Sequence, residues 1–215
     1  MRHARFSPRG ETAAGLNREK ALAALNGRLL REFSRRTTDE LRAALPLRLA
    51  LPALEPFLAE NVAKEARKDA LVIRRAGEAP APGAAREILA AAREIDREFL
   101  ARIGGFPVRI EIPYDRIEPL RLRRIELGLD TARRILDAWR HGRRLREAFA
   151  AGVLEQRLFE LLQLYAEETQ ALSHSVRLPG ILEPVRERVA RRLREAMARA
   201  ARTLARDAAA AAQNG

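Results

Sequence analysis

The stretch RIEPLRLRRIELGLDTARRILDAWRH, residues 116–141, decides the fold of this 215-residue chain. Its apolar residues recur at spacings of three and four, the period of one helix face, which suits a bundle or a coiled coil equally. A second apolar strip leaves only a narrow charged face, so we expect the central, most buried helix of an all-α protein here. The first strip is Leu122, Ile125, Leu129, Ala132, Leu136 and Trp139, and the second is Ile117, Leu120, Leu127, Ile135 and Ala138.

Similar periodicities on both sides of this stretch predict an antiparallel bundle of about five long helices plus one short helix. Two capping boxes, Thr37 with Glu40 and Asp115 with Glu118, predict the starts of the short helix and of the central helix. An apolar connector with two prolines follows at 46–53. The other helices are predicted over residues 17–36, 54–75, 85–103 and 181–211, and from Gly152 to Pro179.

One segment breaks the helical pattern. The sequence FPVRIEIPY alternates apolar and charged residues from Val108 to Ile112, which is typical of a strand. Its one candidate partner strand is ALVI at 70–73. We therefore expect a single short extended segment near 106–114, lying on the helices.

The domain organisation follows from length and from two segments without apolar periodicity. Residues 1–15 mix Arg, Pro and Gly and predict a mobile basic tail. Residues 16–215 then form a single helical domain, since this length suits one domain. The segment GEAPAPGA, 77–84, is a Pro/Gly linker within it.

Composition excludes several classes of protein. The absence of Cys removes disulfides, thiolate nucleophiles and cysteine-bound metals. No apolar run approaches the roughly 18 residues that cross a bilayer, and the Arg-bearing start lacks the apolar stretch of a secretory signal. We therefore expect a cytoplasmic protein.

The net charge is +12, with 41 basic and 29 acidic residues. Such an excess suits nucleic acid, an acidic protein surface or an anionic membrane. All basic residues are Arg except Lys20, Lys64 and Lys68, and the chain is equally rich in Ala, a bias that GC-rich coding produces by itself. The charge is spread over the chain, so its functional meaning stays open.

Residues for catalysis are scarce, and no Gly-rich phosphate loop, HExxH or GxSxG pattern is present. His141 and His174 each fall in the last turn of a predicted helix, where imidazole interacts favourably with the helix dipole. Glu167 and Glu168 precede His174, but seven residues span roughly 10 Å of helix, too far for ligands of one ion. We predict no catalytic residue, metal site, cofactor or small-molecule ligand.

Two arginine clusters carry acidic residues three or four positions away, which favours a solvated, ion-paired surface over a binding patch. The clusters are Arg121, Arg123 and Arg124, and Arg143, Arg144 and Arg146.

Glu168 is in register with Leu161, Tyr165 and Leu172, on the inner face of its helix. An ionised carboxylate is very costly to bury alone. We therefore predict that an Arg from a neighbouring helix pairs with it.

The last predicted helix carries an arginine row about a third of a turn from its apolar stripe. Such a row can bind phosphates or carboxylates bidentately, or serve as a solvent face whose aliphatic stems cover Ala-rich packing. The row is Arg188, Arg192, Arg199, Arg202 and Arg206, and the stripe is Leu182, Val185, Val189, Leu193, Ala196, Ala200 and Leu204.

These observations favour a non-enzymatic helical interaction or assembly protein. It would be homo-oligomeric, or would bind an acidic protein, through an apolar seam or the arginine row. The alternative is a nucleic-acid-binding protein that makes sequence-independent phosphate contacts, although no aromatic platform, helix-turn-helix or zinc module accompanies the charge. A membrane-surface role has less support.

Overall fold

The computed structural model describes residues 9–44, 51–103, 112–173 and 183–213. Within these ranges the chain forms seven helices and no strand, so the fold is an all-α bundle. Six helices are long and one has four residues. The helices are α1 (Arg9–Ala44), α2 (Leu51–Gly77), α3 (Ala84–Ile103), α4 (Tyr114–Arg140), α5 (Leu145–Ala148), α6 (Val153–Ser173) and α7 (Glu183–Gln213).

The α4 helix is the centre of the bundle, as its two apolar strips predict. It contacts each of the other six helices and has buried residues from Ile117 to Trp139. It ends at Arg140 with His141 as its C-cap, and Gly142 follows with φ +62°, a left-handed conformation that glycine adopts without steric cost.

Two groups of apolar side chains form the core. The larger one surrounds the C-terminal half of α4, where Leu129, Leu136 and Trp139 pack with apolar residues of the other helices. The smaller one joins Leu30 of α1 and Met197 of α7, among others, at a different level of the bundle. Polar residues of α2, α3, α4 and α6 are buried as well, and they form the site described below.

The prediction of a break near Thr37 is wrong, because α1 is continuous from Arg9 to Ala44. Arg35 pairs with Glu32 and Asp39, one turn away on either side, and such pairs stabilise a helix across this position. The tail prediction is wrong from Arg9 onward, and the predicted connector is helical from residue 51, since the first turns of a helix tolerate proline. Residues 1–8 and 45–50 lie outside the described ranges.

The predicted capping box of the central helix is also wrong. The helix begins at Tyr114, with Pro113 at the N-cap and no side-chain cap, since the proline ring fixes a φ of −78° there. Glu118 instead accepts a hydrogen bond from Nε of Arg93 on α3, at 2.6 Å. Of the predicted extended segment, residues 106–111 lie outside the described ranges.

The helices on either side of the predicted linker are close to their expected bounds. Residues 78–83 separate α2 from α3, and Gly83 adopts a φ of +81°. The bounds of α6 and α7 agree with the periodicity where the structure describes them, and residues 174–182 lie outside it. In the described ranges, no helix is long and apolar enough to cross a membrane.

Candidate functional site

The structure places most of the predicted arginine row on the exposed face of α7. Arg192, Arg199, Arg202 and Arg206 are all exposed, and the side chain of Arg188 lies outside the described residues. The acidic residues near the row are Glu195, which is exposed, and Asp207, whose carboxylate lies 4.0 Å from Nε of Arg206.

The buried stripe of α7 differs from the prediction. Ala196 is buried as expected, but Ala200 and Leu204 are only half-buried, and the next residues, Ala201 and Ala205, are buried instead. The helix is turned by about one residue, so the arginine row lies nearly opposite the packed face. Of the remaining predicted stripe, Leu182 and the side chains of Val185, Val189 and Leu193 lie outside the described residues.

The described surface is poor in large apolar side chains. Among the residues whose exposure the structure gives, the one large hydrophobic classed as exposed is Val153, at 37%. A single exposed hydrophobic residue makes no apolar patch. The arginine row is therefore a better candidate for an interaction surface than an apolar seam on this part of the molecule.

A second candidate lies inside the bundle and was not predicted as a unit. Four cations and four carboxylates from α2, α3, α4 and α6 meet there, and we call them the ionic cluster. All are buried except Asp69, which is half-buried. The members are Lys64, Glu65, Lys68 and Asp69 on α2, Asp96 on α3, Arg121 and Arg124 on α4, and Glu168 on α6.

Glu168 has the arginine partners that its helix register predicts. Nε of Arg121 donates to its Oε1 at 2.5 Å, and Nη2 of Arg124 lies 3.2 Å from its Oε2. Both arginines come from the neighbouring helix α4, so this prediction is confirmed. Nζ of Lys68 is 3.7 Å from Oε1 of Glu168 and is the third cationic group around this carboxylate.

The other buried carboxylates also lie between cations. Glu65 accepts hydrogen bonds from Nζ of Lys68 at 3.0 Å and from Nη2 of Arg124 at 2.6 Å. Asp96 lies 2.8 Å from Nζ of Lys68 and 2.6 Å from Nη1 of Arg121. Asp96 on α3 therefore joins α2 to α4, and Glu65 joins its own helix, α2, to α4. These contacts hold the helices together.

Neutral polar groups surround the cluster. Asn26 of α1 donates to Oδ2 of Asp69 at 2.7 Å, while Oδ1 of Asp69 accepts from Nη1 of Arg124 at 3.2 Å. Asn61 of α2 donates to the hydroxyl of Tyr165 on α6 at 3.2 Å. The network therefore extends to α1.

Burial and charge shift the pKa values in opposite directions across the cluster. Burial tends to raise the pKa of Glu65, but Lys68, Lys64 and Arg124 outweigh it and hold that pKa well below its ordinary range. Burial raises the pKa of Asp69 despite the opposing charge of Arg124. Burial also lowers the pKa of Lys64, whose Nζ lies 4.7 Å from the centre of the Phe99 ring.

The apolar part of the bundle next to the cluster contains a cavity of about 110 Å³. Lys68, Asp69, Arg121 and Arg124 line its polar end, and aliphatic side chains from α1, α2, α3, α4, α6 and α7 form most of the remaining wall. Cavities with this combination of apolar walls and a few convergent polar groups are the usual form of small-molecule sites.

The prediction that Arg121 and Arg124 belong to a solvated surface is wrong, whereas Arg123 between them is exposed. Arg121 and Arg124 lie on the same helix face as the buried Ile117 and Ile125. Of this arginine cluster, only Arg123 faces solvent. The second arginine cluster is exposed as expected, at Arg143, Arg144 and Arg146.

Lys64 and Lys68 carried a signal that sequence reasoning missed. They are two of only three lysines in a chain with 41 basic residues, and they are one helical turn apart. Both are buried. The use of lysine in a chain whose other basic residues are nearly all arginine was therefore the sequence signal that indicated the ionic cluster.

The histidines add no further site in the described residues. His141 caps α4, with Nδ1 2.9 Å from the carbonyl oxygen of Asp137, as its position at the helix end predicts. His174 lies outside the described ranges. Within those ranges, no group of three or more acidic or histidine side chains is placed to hold a metal ion.

Comparison of the chain with protein families, with curated proteins and with solved structures gave no significant match. Function must therefore be argued from the two candidate sites.

Proposed function

We propose that this protein is a non-enzymatic helical interaction protein that binds an acidic protein surface through the arginine row of α7. The observation that carries the proposal is the exposure of Arg192, Arg199, Arg202 and Arg206 on one face of a 31-residue helix. Residues 192, 199 and 206 are seven apart, which sets them roughly 10 Å apart along the axis. Planar guanidinium groups spaced in this way suit bidentate contacts with carboxylates of an extended or helical partner.

Self-association is part of the proposal. A second copy can supply the acidic surface, since the chain has 29 acidic residues. Native mass measurement at two ionic strengths tests this. A dimer that dissociates at high salt supports contact through the arginine row, and a dimer that is insensitive to salt points to an apolar interface instead.

Nucleic acid is the second candidate, and the same row supports it, because guanidinium groups bind phosphates as well as carboxylates. Phosphate contacts release counterions, so the logarithm of affinity would fall linearly with the logarithm of salt concentration. Acidic peptide and duplex DNA, each fluorescently labelled, are therefore compared in one anisotropy titration over several salt concentrations.

The decisive variant replaces Arg199, Arg202 and Arg206 with Gln. Its matched control replaces Arg86, Arg144 and Arg146, which are also exposed, so the loss of charge is the same. If the row is the binding site, the first variant loses at least about tenfold in affinity and the control less than about twofold. Equal losses in the two variants would show that net charge alone attracts the ligand, and would overturn the assignment of the site.

A further inference from the structure

The cavity beside the ionic cluster has a strongly uneven wall. Its apolar end includes Val72, Ile125 and Leu158. Its polar end carries three cationic side chains, Lys68, Arg121 and Arg124, against the single carboxylate of Asp69. The other three carboxylates of the ionic cluster do not line the cavity.

Hydrogen-bond donors at the polar end are left without acceptors. Nη2 of Arg121 and Nε of Arg124 are buried and have no hydrogen-bond partner. Oxygens of Asp96 and Glu168 also lack a hydrogen bond, but each of them lies within 3.2 Å of a cationic nitrogen. Buried N–H groups are nearly always paired, because an unpaired one costs about 1 to 3 kcal/mol, and more when the group is charged. Two unpaired donors on cationic groups at one end of a cavity therefore favour an anionic acceptor.

We infer that this cavity binds a small monocarboxylate whose apolar body has about four or five carbons, with its carboxylate on the guanidinium groups of Arg121 and Arg124. A cavity of 150 Å³ holds benzene, so about 110 Å³ takes a slightly smaller body. A carboxylate offers two oxygens to the two free donors. A phosphate carries more oxygen atoms than these two donors, and most of the wall is aliphatic.

The one carboxylate in the cavity wall, Asp69, is already engaged: Asn26 donates to its Oδ2 at 2.7 Å and Arg124 to its Oδ1 at 3.2 Å.

The test measures thermal unfolding through the single tryptophan, Trp139, with pentanoate, with its uncharged amide pentanamide, and with chloride at matched ionic strength. At a pentanoate concentration about tenfold above Kd, Tm rises by about 3 to 6 °C, and pentanamide and chloride have no comparable effect. Equal stabilisation by pentanamide overturns the carboxylate assignment. No stabilisation by pentanoate up to about 50 mM overturns the site itself.

Two variants test whether the ligand binds in the cavity. Ala132→Leu adds volume to the wall, and Gly128→Ala adds a Cβ that lies 3.2 Å from Cγ1 of Val72, another wall residue. Gly128→Ala is the milder change and also favours helix, so it keeps the test valid if the larger residue prevents folding. The pentanoate shift is lost in Ala132→Leu and reduced in Gly128→Ala.

Two further variants are controls. Ala85→Leu adds the same volume at a half-buried position of α3 that does not line the cavity, and it retains the shift. The triple replacement of Arg199, Arg202 and Arg206 also retains it, because those side chains are on the surface, so this outcome is independent of the proposed partner binding. Persistence of the shift in both cavity variants overturns the inference.

Discussion

Among the ion pairs that join α4 to α6, one in the interior and one on the surface can be compared directly. In the interior pair Nε of Arg121 lies 2.5 Å from Oε1 of Glu168, and in the surface pair Nη2 of Arg123 lies 2.5 Å from Oε1 of Glu160. The side chains are 0% and 2% exposed in the first pair and 67% and 34% exposed in the second. The two pairs therefore differ in the solvent exposure of their side chains, while their N–O distances are equal.

The comparison separates the attraction between two charges from the cost of burying them. Water screens the exposed pair and would solvate either partner alone, so its loss matters little. The interior pair is different because removing one charge leaves the other buried without compensation. Although their N–O distances are equal, the two pairs should differ strongly in how much the loss of one partner lowers the free energy of unfolding.

The largest effect is expected for Arg121→Met. This change keeps much of the side-chain volume but leaves Glu168 and Asp96 each without one cationic contact, and it should lower the free energy of unfolding by about 3 to 5 kcal/mol. Urea denaturation followed by Trp139 fluorescence measures it. Adding Glu168→Met to the same chain should cost less than the sum of the two single changes. An additive result would mean that the two residues do not interact.

An apolar residue of the same helix provides a comparison without charge. Leu129 is buried in the larger core group two turns after Arg121, and Leu129→Ala should cost about 2 to 5 kcal/mol in the same denaturation experiment. A loss below about 1 kcal/mol would place α4 at the surface of the bundle, contrary to the fold described here.

A pH titration should separate two carboxylates of the ionic cluster. The pKa of Glu65 in the folded protein lies well below 4.5, so the stabilisation it gives is complete above pH 4.5 and is lost as the pH falls through the folded value. Glu65→Gln removes this pH-dependent stabilisation. Its free energy of unfolding should therefore fall less steeply than that of the wild type below pH 4.5, by up to about 1.4 kcal/mol per pH unit.

Asp69 provides the opposite control. Its folded pKa is raised above 3.8, so the stabilisation it gives is present at low pH and is lost as the pH rises through the folded value. Asp69→Asn should therefore make acid destabilisation steeper than in the wild type. The same change of slope in Glu65→Gln and Asp69→Asn would contradict the assigned directions.

The smallest effect is expected for Arg123→Met, the surface counterpart of Arg121→Met. Both partners remain accessible to water, and the loss should be below about 1 kcal/mol in urea denaturation at physiological salt. A loss as large as that of Arg121→Met would show that burial does not account for the difference between the two pairs.

The fold could be predicted where apolar periodicity alone decides it. The central position of α4 and the burial of Leu129 and Trp139 follow from spacings of three and four. Helix ends were less predictable, because Thr37 and Asp115 form the pattern of a cap without serving as one. At Thr37, pairs around Arg35 stabilise a continuous helix, and at Asp115 the preceding Pro113 sets the start.

The ionic cluster could be predicted only in part. Glu168 stood out because one acidic residue on an otherwise apolar face requires a partner. The burial of Lys64, Arg121 and Arg124 did not stand out, because a charged residue in an amphipathic pattern is normally assigned to solvent. Their burial depends on compensation by residues 25 to 44 positions away, such as Asp96 and Glu168, which a single helix cannot reveal.

The equal numbers of cations and carboxylates in the ionic cluster have an evolutionary consequence. A mutation that alters any one of the eight charges leaves a buried charge uncompensated, whereas the loss of one cation together with one carboxylate restores neutrality. Divergence at these positions must then proceed by paired replacements or through an unstable intermediate sequence. Descendants of this chain will therefore change these eight residues in oppositely charged pairs, while an exposed arginine such as Arg123 can change alone.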